Sequence, residues 1–232
     1  MLLFWVPPHS HGMRFSKILE VRKEFFPEKC PDPLEVSSRM NFEGSGHFID
    51  EVNWKEFPYK PEVEFDIRYS ERAIFLKYRV AENYFKAEKT SHNDRVWEDS
   101  CVEFFIEPAA DGIYYNLEFN AIGTCYIGAG RNREERQPLP ESVISKLRVF
   151  PSSGNKPVRE VEGRISWELT IIIPFGVFCY HTIESFEGKE IRANFYKCGD
   201  KLKVPHYLSW NPVGTLMPDF HRPEYFGILR FI

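Results

Sequence analysis

The sequence predicts an all-β protein, an antiparallel β-sandwich of the immunoglobulin-like or jelly-roll-like kind with minor short helices. Along several short segments hydrophobic residues alternate with polar ones at period two, which is typical of strands buried on one face. Helical periodicity with capping residues is scarce, and 17 prolines with 14 glycines favour many turns. Repeated short strands with polar connections indicate two sheets packed on each other.

The predicted strands follow one another from the middle of the chain to its end. The first covers 62–68, where Val63, Phe65 and Ile67 alternate with charged residues, and a turn leads into its hairpin partner at 74–80. The same alternation predicts the remaining strands at 101–107, 115–122, 165–173, 191–195 and 227–232. Short helical pieces are predicted at 141–146 and 174–177, and the polar stretch 128–140 is interpreted as a solvated loop.

Charge and hydropathy exclude two classes of partner. Thirty Lys and Arg against 34 Asp and Glu give a net charge of −4, so the surface as a whole does not attract a phosphate backbone or an anionic membrane. The longest apolar run, 170–180, is interrupted by Pro174 and Gly176 and is too short to span a bilayer. We therefore expect neither nucleic acid nor membrane as a partner.

The beginning of the chain and its cysteines bear on domain organisation and location. Residues 1–12 are predicted to be a disordered leader or a misassigned start, and 13–232 a single domain. The apolar opening lacks a basic region and is cut off by Pro7 and Pro8, so it does not resemble a signal peptide. This favours the cytoplasm, with secretion or the periplasm left open. Five widely spaced cysteines without a CxxC pair indicate reduced, mostly buried thiols.

One segment, 94–106, combines an acidic, tryptophan-bearing loop with a strand that carries Glu103 on one face. It resembles the signature of the family 9 carbohydrate-binding modules and their bacterial relatives. Three further segments match that family in order: 49–54 its leading segment, 115–120 the following strand and 223–229 the closing strand. The resemblance covers roughly 41–232, and four ordered motifs are far more specific than one. It implies an antiparallel β-sandwich that is not itself catalytic and holds sugar between two tryptophans.

The resemblance also implies which residues bind the sugar. Trp97 matches the first tryptophan of the clamp, and Trp210 resembles the second. Glu103 matches the carboxylate that accepts sugar hydroxyls, and Asn120 matches an amide contributor. Glu118 is a departure, because a sugar-binding member of the family has an arginine there; this exchange puts the family's preference for glycan reducing ends in doubt.

The chemistry of these side chains suits a sugar independently of the resemblance. A pyranose presents an apolar face that stacks on an indole, and a rim of hydroxyls that an ionised carboxylate can accept in pairs. Parity places Glu118 and Asn120 on one strand face, and strand pairing could bring Glu103 alongside. Other interpretations stay open: Glu103 as a solvated residue or an ion-pair partner of Arg192, and Asn120 as an amide that satisfies a turn. Trp54 and Trp167 are expected in the core.

We therefore predict a stand-alone, non-catalytic module that binds a mono- or oligosaccharide in glycan recognition or breakdown, such as xylan or cellulose degradation. The alternative is a glycan-active hydrolase that uses Asp99, Glu103 and Glu118 for acid and base chemistry. A weaker third hypothesis is a haem protein, with Met217 and either His206 or His221 as ligands. No cofactor is expected, although Glu98, Asp99 and backbone carbonyls could ligate structural calcium. The sugar, its linkage, the use of glycan ends and the oligomeric state stay open.

Overall fold

The computed structural model describes residues 16–28, 31–40 and 46–232. The prediction for residues 1–12 and the expectation for Cys30 lie outside these ranges. The strands are β1 (Ile18–Lys23), β2 (His47–Phe48), β3 (Glu51–Val52), β4 (Glu62–Tyr69), β5 (Ala73–Ala87), β6 (Cys101–Glu107), β7 (Tyr114–Asn120), β8 (Cys125–Gly130), β9 (Gln137–Pro138), β10 (Arg148–Pro151), β11 (Val158–Pro174), β12 (Glu190–Cys198), β13 (Tyr207–Ser209) and β14 (Gly227–Phe231). The helices are α1 (Pro33–Arg39) and α2 (Glu141–Ile144).

All seven predicted strands are present, because alternation over five or more residues is a strong local signal. The strand predicted at 101–107 has the observed bounds Cys101–Glu107, whereas β11 is far longer than predicted, at 17 residues. The predicted helical pieces correspond to α2 and to the 3₁₀-helix Phe175–Val177. None of the helices in the described ranges has the length and apolar character needed to cross a membrane.

The strands form one curled sheet in the order β10-β11-β5-β4-β1-β14-β12-β6-β7-β8-β9, with β2, β3 and β13 attached beside this path. The prediction of a purely antiparallel arrangement is wrong at one strand. β1 runs parallel to β14, with Ile18 opposite Ile228, and parallel to β4, with Arg22 opposite Arg68. Curling brings β4 and β14 to either side of β1. β1 therefore joins the two halves of the sheet, one formed by β10, β11, β5 and β4 and the other by β14, β12, β6, β7, β8 and β9. The described protein is therefore mostly β with a mixed sheet.

The two halves of the curled sheet face each other across the main core. Phe65 of β4 stacks on Phe195 of β12 with ring centroids 4.0 Å apart, and Phe195 in turn stacks on Phe104 of β6 at 4.9 Å. The hydroxyl of Tyr78 donates a 3.0 Å hydrogen bond to the backbone carbonyl of Glu103, which ties β5 to β6. Trp167 is buried in this core, as predicted.

A buried ionic group also joins the two halves. Lys197 Nζ of β12 lies 2.9 Å from Glu82 Oε2 of β5, and both side chains are fully buried. The same ammonium group donates to Nε2 of His206 at 2.8 Å and to the carbonyl of Cys198 at 2.9 Å. Trp167 Nε1 donates to the other oxygen of Glu82 at 2.7 Å. Each charge in this group therefore has a partner, as burial requires.

The outer face of β6, β7 and β12 is covered as well. A second aromatic cluster packs there, with Phe105, Tyr196 and Tyr114 from the strands and Trp54, Phe220 and Phe226 from the covering segments. Trp54 is buried, as predicted, and its indole N–H donates to the carbonyl of Thr215 at 2.9 Å. Every residue of β6 and β7 is buried for this reason. The cluster surrounds the candidate site.

Candidate functional site

A cavity of about 90 Å³, open to solvent on one side, lies over the outer face of β6, β7 and β12. Its lining residues are Trp97, Glu103, Glu118, Arg133, Arg136, Cys198, Asp200, Tyr207, Pro218, Asp219, Phe220 and His221. Three of the five predicted site residues, Trp97, Glu103 and Glu118, are among them.

Strand register places the two glutamates side by side. β6 and β7 pair with Glu103 directly opposite Glu118, as parity had allowed. Glu103 Oε1 accepts a 3.1 Å hydrogen bond from the thiol of Cys198, and Glu118 Oε1 accepts one of 2.8 Å from the amide of Asn116. Arg136 Nη1 lies 3.5 Å from Glu118 Oε1. Both glutamates are therefore held in place with part of each carboxyl group left toward the cavity.

The alternative interpretation of Glu103 as an ion-pair partner of Arg192 does not hold. Arg192 Nη1 instead lies 2.9 Å from Glu107 Oε2, four residues further along β6. Among the residues that the structure describes, no Lys or Arg nitrogen lies within 4 Å of the carboxylate of Glu103. Glu103 thus differs from Glu118 in having no cationic neighbour at that distance.

Burial, with a smaller contribution from nearby acidic groups, raises the pKa of the carboxyl groups at this cavity. Burial raises the pKa of Glu103 well above its ordinary value, and the charge of Glu118 raises it further. Burial raises the pKa of Glu118 to about 7, although Arg136 and Asn116 act in the opposite direction. Burial and the charge of Glu98 raise the pKa of Asp200 to about 6. Near neutral pH the floor therefore offers both a proton donor and carboxylate acceptors, which matches hydroxyl groups that donate and accept.

Aromatic rings form the apolar part of the cavity. Trp97 lies in the 3₁₀-helix Val96–Glu98, and its half-buried ring meets Tyr126 edge-on at 5.6 Å. Phe220 stacks on Tyr196 at 4.1 Å, and Tyr207 packs edge-on against Phe57 at 4.8 Å. Because each ring is fixed by a neighbouring ring, the apolar surfaces of Trp97, Tyr207 and Phe220 are held rigidly around the same cavity.

Trp210 does not line this cavity, in contrast to the role carried over from the resemblance. It is 5% exposed and lies in the main core, with its ring 5.7 Å from Phe195 and 6.5 Å from Phe65. The reason is the parity of β13: Leu208 and Trp210 face the core, whereas Tyr207 faces the cavity. Tyr207 is therefore the aromatic residue that this segment contributes.

Asn120 is also absent from the cavity lining. Its side chain is fully buried and donates to the carbonyl of Lys89 at 2.8 Å and to Asp99 Oδ2 at 3.0 Å. Its oxygen accepts from the backbone N–H of Thr124 at 2.9 Å. The bond from Thr124 holds the turn after β7, and the other two tie this turn to the segment at Lys89 and to Asp99, which agrees with the alternative interpretation of Asn120 as a turn-satisfying amide.

The predicted calcium ligands are engaged by groups of the chain itself. Asp99 Oδ2 accepts hydrogen bonds from the backbone N–H groups of Glu88 and Lys89, at 2.9 and 2.8 Å. Glu98 lies 3.2 Å from the ammonium of Lys89 and 3.1 Å from the guanidinium of Arg95. Asp99 Oδ1 is buried without a hydrogen-bond partner, but within the described ranges it belongs to no group of three acidic, histidine or cysteine ligand atoms. Structural calcium ligated by Glu98, Asp99 and backbone carbonyls therefore stays a prediction.

The haem hypothesis finds no suitable pair of ligands either. Met217 is 70% exposed, and both ring nitrogens of the buried His206 already have partners, Lys197 and the carbonyl of Val204. His221 Nδ1 lies 3.0 Å from the hydroxyl of Tyr114, and its Nε2 lies 2.5 Å from Arg136. Neither histidine presents a free nitrogen toward Met217.

Sequence reasoning missed the residues that reach the cavity from loops. The stretch 128–140 is not purely solvated: the guanidinium of Arg136 lies over the Tyr126 ring at 5.1 Å and contacts Glu118, and Arg133 also lines the cavity. Asp200 and Phe220 come from the segments after β12 and β13. No local pattern marks these residues, whereas Tyr207 could have been found from its strand parity.

Comparisons with known proteins agree with this architecture. The model of the family described as carbohydrate-binding family 9 matches residues 37–231. A crystal structure from Bacteroides uniformis, of a protein provisionally assigned as carbohydrate-binding, is 42% identical and has a TM-score of 0.90, covering 94% of this chain and 100% of that one. Family 9 modules from Caldicellulosiruptor kristjanssonii, solved with glucose and with cellotriose, are each 8% identical, with TM-scores of 0.53 and 0.54. They cover 93% of this chain and 96% and 93% of theirs. No curated protein matches the chain.

Proposed function

The chain belongs to carbohydrate-binding family 9, and on that premise we propose that it binds a mono- or oligosaccharide without catalysis, in glycan recognition or breakdown, in the cavity between Trp97 and Tyr207. The observation that carries the proposal is the combination of fixed aromatic rings with the Glu103 and Glu118 pair in one cavity. The rings offer stacking surfaces for the apolar face of a pyranose. The carboxyl pair offers a donor and acceptors to its hydroxyl rim.

Gluco-configured sugars are the first ligands to test. The two Caldicellulosiruptor kristjanssonii modules hold glucose and cellotriose and share the fold at 8% identity. This likeness supports a sugar of the same class. It does not identify the residues that contact the sugar; the roles of Glu118 and Tyr207 are argued from this chain alone. Xylan or cellulose breakdown is accordingly proposed as the setting, with cellobiose and xylobiose as probes.

The hydrolase alternative is disfavoured by the placement of the two glutamates, although their raised pKa values would suit acid and base chemistry. Glu103 and Glu118 are cross-strand neighbours on one sheet face, so both carboxyl groups approach a ligand from the same side. A glycosidase needs its two carboxyl groups to flank the scissile bond. We therefore expect no product from aryl-glycosides or polysaccharides in a turnover assay run beside the binding measurements.

Replacing Trp97 by Ala is expected to weaken sugar binding at least about tenfold, about 1.4 kcal/mol, because a stacking surface is lost. Calorimetric titration with glucose, cellobiose, xylobiose and galactose measures this. For the wild type we expect dissociation constants between millimolar and micromolar, or about 4 to 8 kcal/mol.

Trp210→Phe is the matched control for this measurement. It removes ring area from the core and is expected to lower stability, yet the sugar affinity should stay within about twofold, because Trp210 does not line the cavity. Equal losses of affinity in the two variants would contradict the placement of the site. The absence of binding of any of the four sugars to the wild type would contradict the proposed function.

A further inference from the structure

Three potential metal ligands meet beside the cavity: Glu103 and Cys198, which line it, and Cys101, which is fully buried. Cys101 of β6 and Cys198 of β12 are direct cross-strand partners, and Glu103 lies two residues further along β6 on the same face. One ligand atom from each, the two Sγ atoms and a carboxylate oxygen, all lie within 4.8 Å of one another. Within the described ranges, no other group of three or more acidic, histidine or cysteine atoms is this compact.

The spacing of these atoms is close to that of a tetrahedral zinc site. Zinc bonds of about 2.3 Å to sulfur and about 2.1 Å to oxygen place two tetrahedral sulfurs about 3.8 Å apart, and a sulfur and an oxygen about 3.6 Å apart. Cys198 Sγ lies 3.1 Å from Glu103 Oε1, and the other two separations are at most 4.8 Å. Movements of about 1 Å or less, within the reach of side-chain rotations, would bring the three atoms to this geometry.

The cavity supplies a path and a fourth ligand position. Cys198 and Glu103 both line it, so a cation can reach them, and water can complete the coordination from the open side. The acidic groups around the floor are Glu103, Glu118, Asp200 and Asp219, and the cationic groups are Arg133 and Arg136, with His221 beside Arg136. Among the described residues no Lys or Arg nitrogen lies within 4 Å of the carboxylate of Asp200 or Glu103. A divalent cation would offset this excess of acidic groups.

We propose that the cavity floor is a binding site for a thiophilic divalent cation of the zinc type, ligated by Cys101, Cys198 and Glu103 and open to the cavity at its fourth position. Two thiolates and a carboxylate favour zinc over calcium or magnesium, which prefer oxygen ligands alone. On binding, each thiol releases its proton to solvent and forms a bond to the metal, so no oxidant or reductant is needed.

Metal bound at this site is expected to weaken sugar binding, an inference that rests on the proposed function. Glu103 is expected to hold both the metal and the sugar hydroxyls, so the two ligands should compete for it. Metal-loaded protein is therefore expected to bind sugar at least about tenfold more weakly than metal-free protein.

Cobalt titration of the full-length wild type tests the site directly. The protein is reduced with a phosphine under nitrogen and titrated with Co²⁺, whose tetrahedral thiolate complexes have strong visible bands and thiolate-to-metal charge-transfer bands. We expect these bands to saturate at one equivalent and to disappear when Zn²⁺ is added. X-ray absorption of the zinc form should give two sulfur ligands. A pale octahedral cobalt spectrum, or a zinc shell without sulfur, would overturn the proposal whether or not any variant folds.

Variants identify the ligands. Cys101→Ser and Cys198→Ser should each abolish the charge-transfer bands of the one-to-one complex, and Glu103→Gln should weaken zinc binding at least about tenfold. The matched controls are Cys179→Ser, an exposed thiol, and Cys125→Ser, a buried thiol 3.3 Å from His92 Nδ1; both should bind cobalt as the wild type does. Bands that vanish with Cys125 or Cys179 instead would place the metal elsewhere.

The sugar titration repeated with and without one equivalent of Zn²⁺ separates the two proposals. Sugar binding that is insensitive to bound zinc would overturn the shared role of Glu103. A cobalt complex with two thiolates in a protein that binds no sugar would leave the metal site standing while contradicting the proposed function.

Discussion

Replacing Lys197 by Met is expected to lower the free energy of unfolding by about 3–5 kcal/mol, as removal of one partner from a buried ion pair does. The substitution leaves the carboxylate of Glu82 buried, with the indole N–H of Trp167 as its one remaining hydrogen-bond donor in the described structure. It also removes the donor to His206 Nε2, a ring whose pKa is held well below its ordinary value by burial and by the nearby Lys197 charge. Urea unfolding followed by tryptophan fluorescence measures the loss.

The double variant Lys197→Met with Glu82→Gln is the matched control. The amide introduced by Glu82→Gln carries no charge and could still accept from Trp167, so the double variant is expected to recover a large part of the lost stability. Glu82→Gln alone should be destabilising, because the ammonium group of Lys197 then lies buried without a counter-ion. A stability of Lys197→Met within about 1 kcal/mol of the wild type would show that the ion pair does not hold the two halves of the sheet together.

Ionisation of Glu118 is expected to destabilise the folded protein as the pH rises toward and above 7. Burial raises the pKa of this carboxyl group from 4.5 to about 7 in the folded chain, so the folded state binds the proton more tightly than the unfolded state does. The stabilising contribution is therefore complete below about pH 4.5 and is lost as the pH rises through about 7. The rise in pKa corresponds to a contribution of up to about 3 kcal/mol.

The measurement compares the unfolding free energy of the wild type with that of Glu118→Gln at several pH values between 4.5 and 8. The wild type should lose stability relative to the variant over this interval, because the amide side chain of the variant does not ionise. Glu71→Gln, at an exposed carboxylate, is the control and should keep the pH dependence of the wild type. Parallel curves for the wild type and Glu118→Gln would contradict the raised pKa. Carboxyl groups far from Glu118 act in both proteins and cancel in the comparison, whereas Glu103, whose pKa the charge of Glu118 raises, contributes to the difference.

The strands were predictable where alternation is long, and unpredictable where it is short. The pattern over Cys101–Glu107 specifies both the strand and its two faces. In β1 only Leu19 and Val21 are buried, and the apolar Ile18 is exposed, so the local pattern is too weak to predict this strand. Its parallel pairing depends on where the curled sheet brings β4 and β14, which no local pattern encodes.

The residues of the candidate site were likewise predictable only where they lie on strands that are close in sequence. Parity and hairpin pairing were enough to suggest that Glu103 and Glu118 lie together, because β6 and β7 are neighbours in the chain. Tyr207 was missed because the second aromatic residue of the clamp was assigned to Trp210, although the strand parity of Trp210 directs its side chain into the core. The meeting of Cys101 with Cys198 depends on the register between β6 and β12, strands far apart in sequence. Contacts at such separation follow from the whole fold.

The position of β1 has a consequence for work with shortened versions of the chain. The match to the family begins at residue 37, after β1, so a domain cut at the family boundary would lack this strand. β14 would then present a row of unpaired backbone N–H and C=O groups at 228–231, and β4 would lose its pairing at Arg68 and Tyr69. Such rows recruit strands from other molecules, so truncated protein is expected to self-associate even though its sugar-binding strands are intact. β1, Ile18–Lys23, should accordingly be kept when the protein is produced for binding studies.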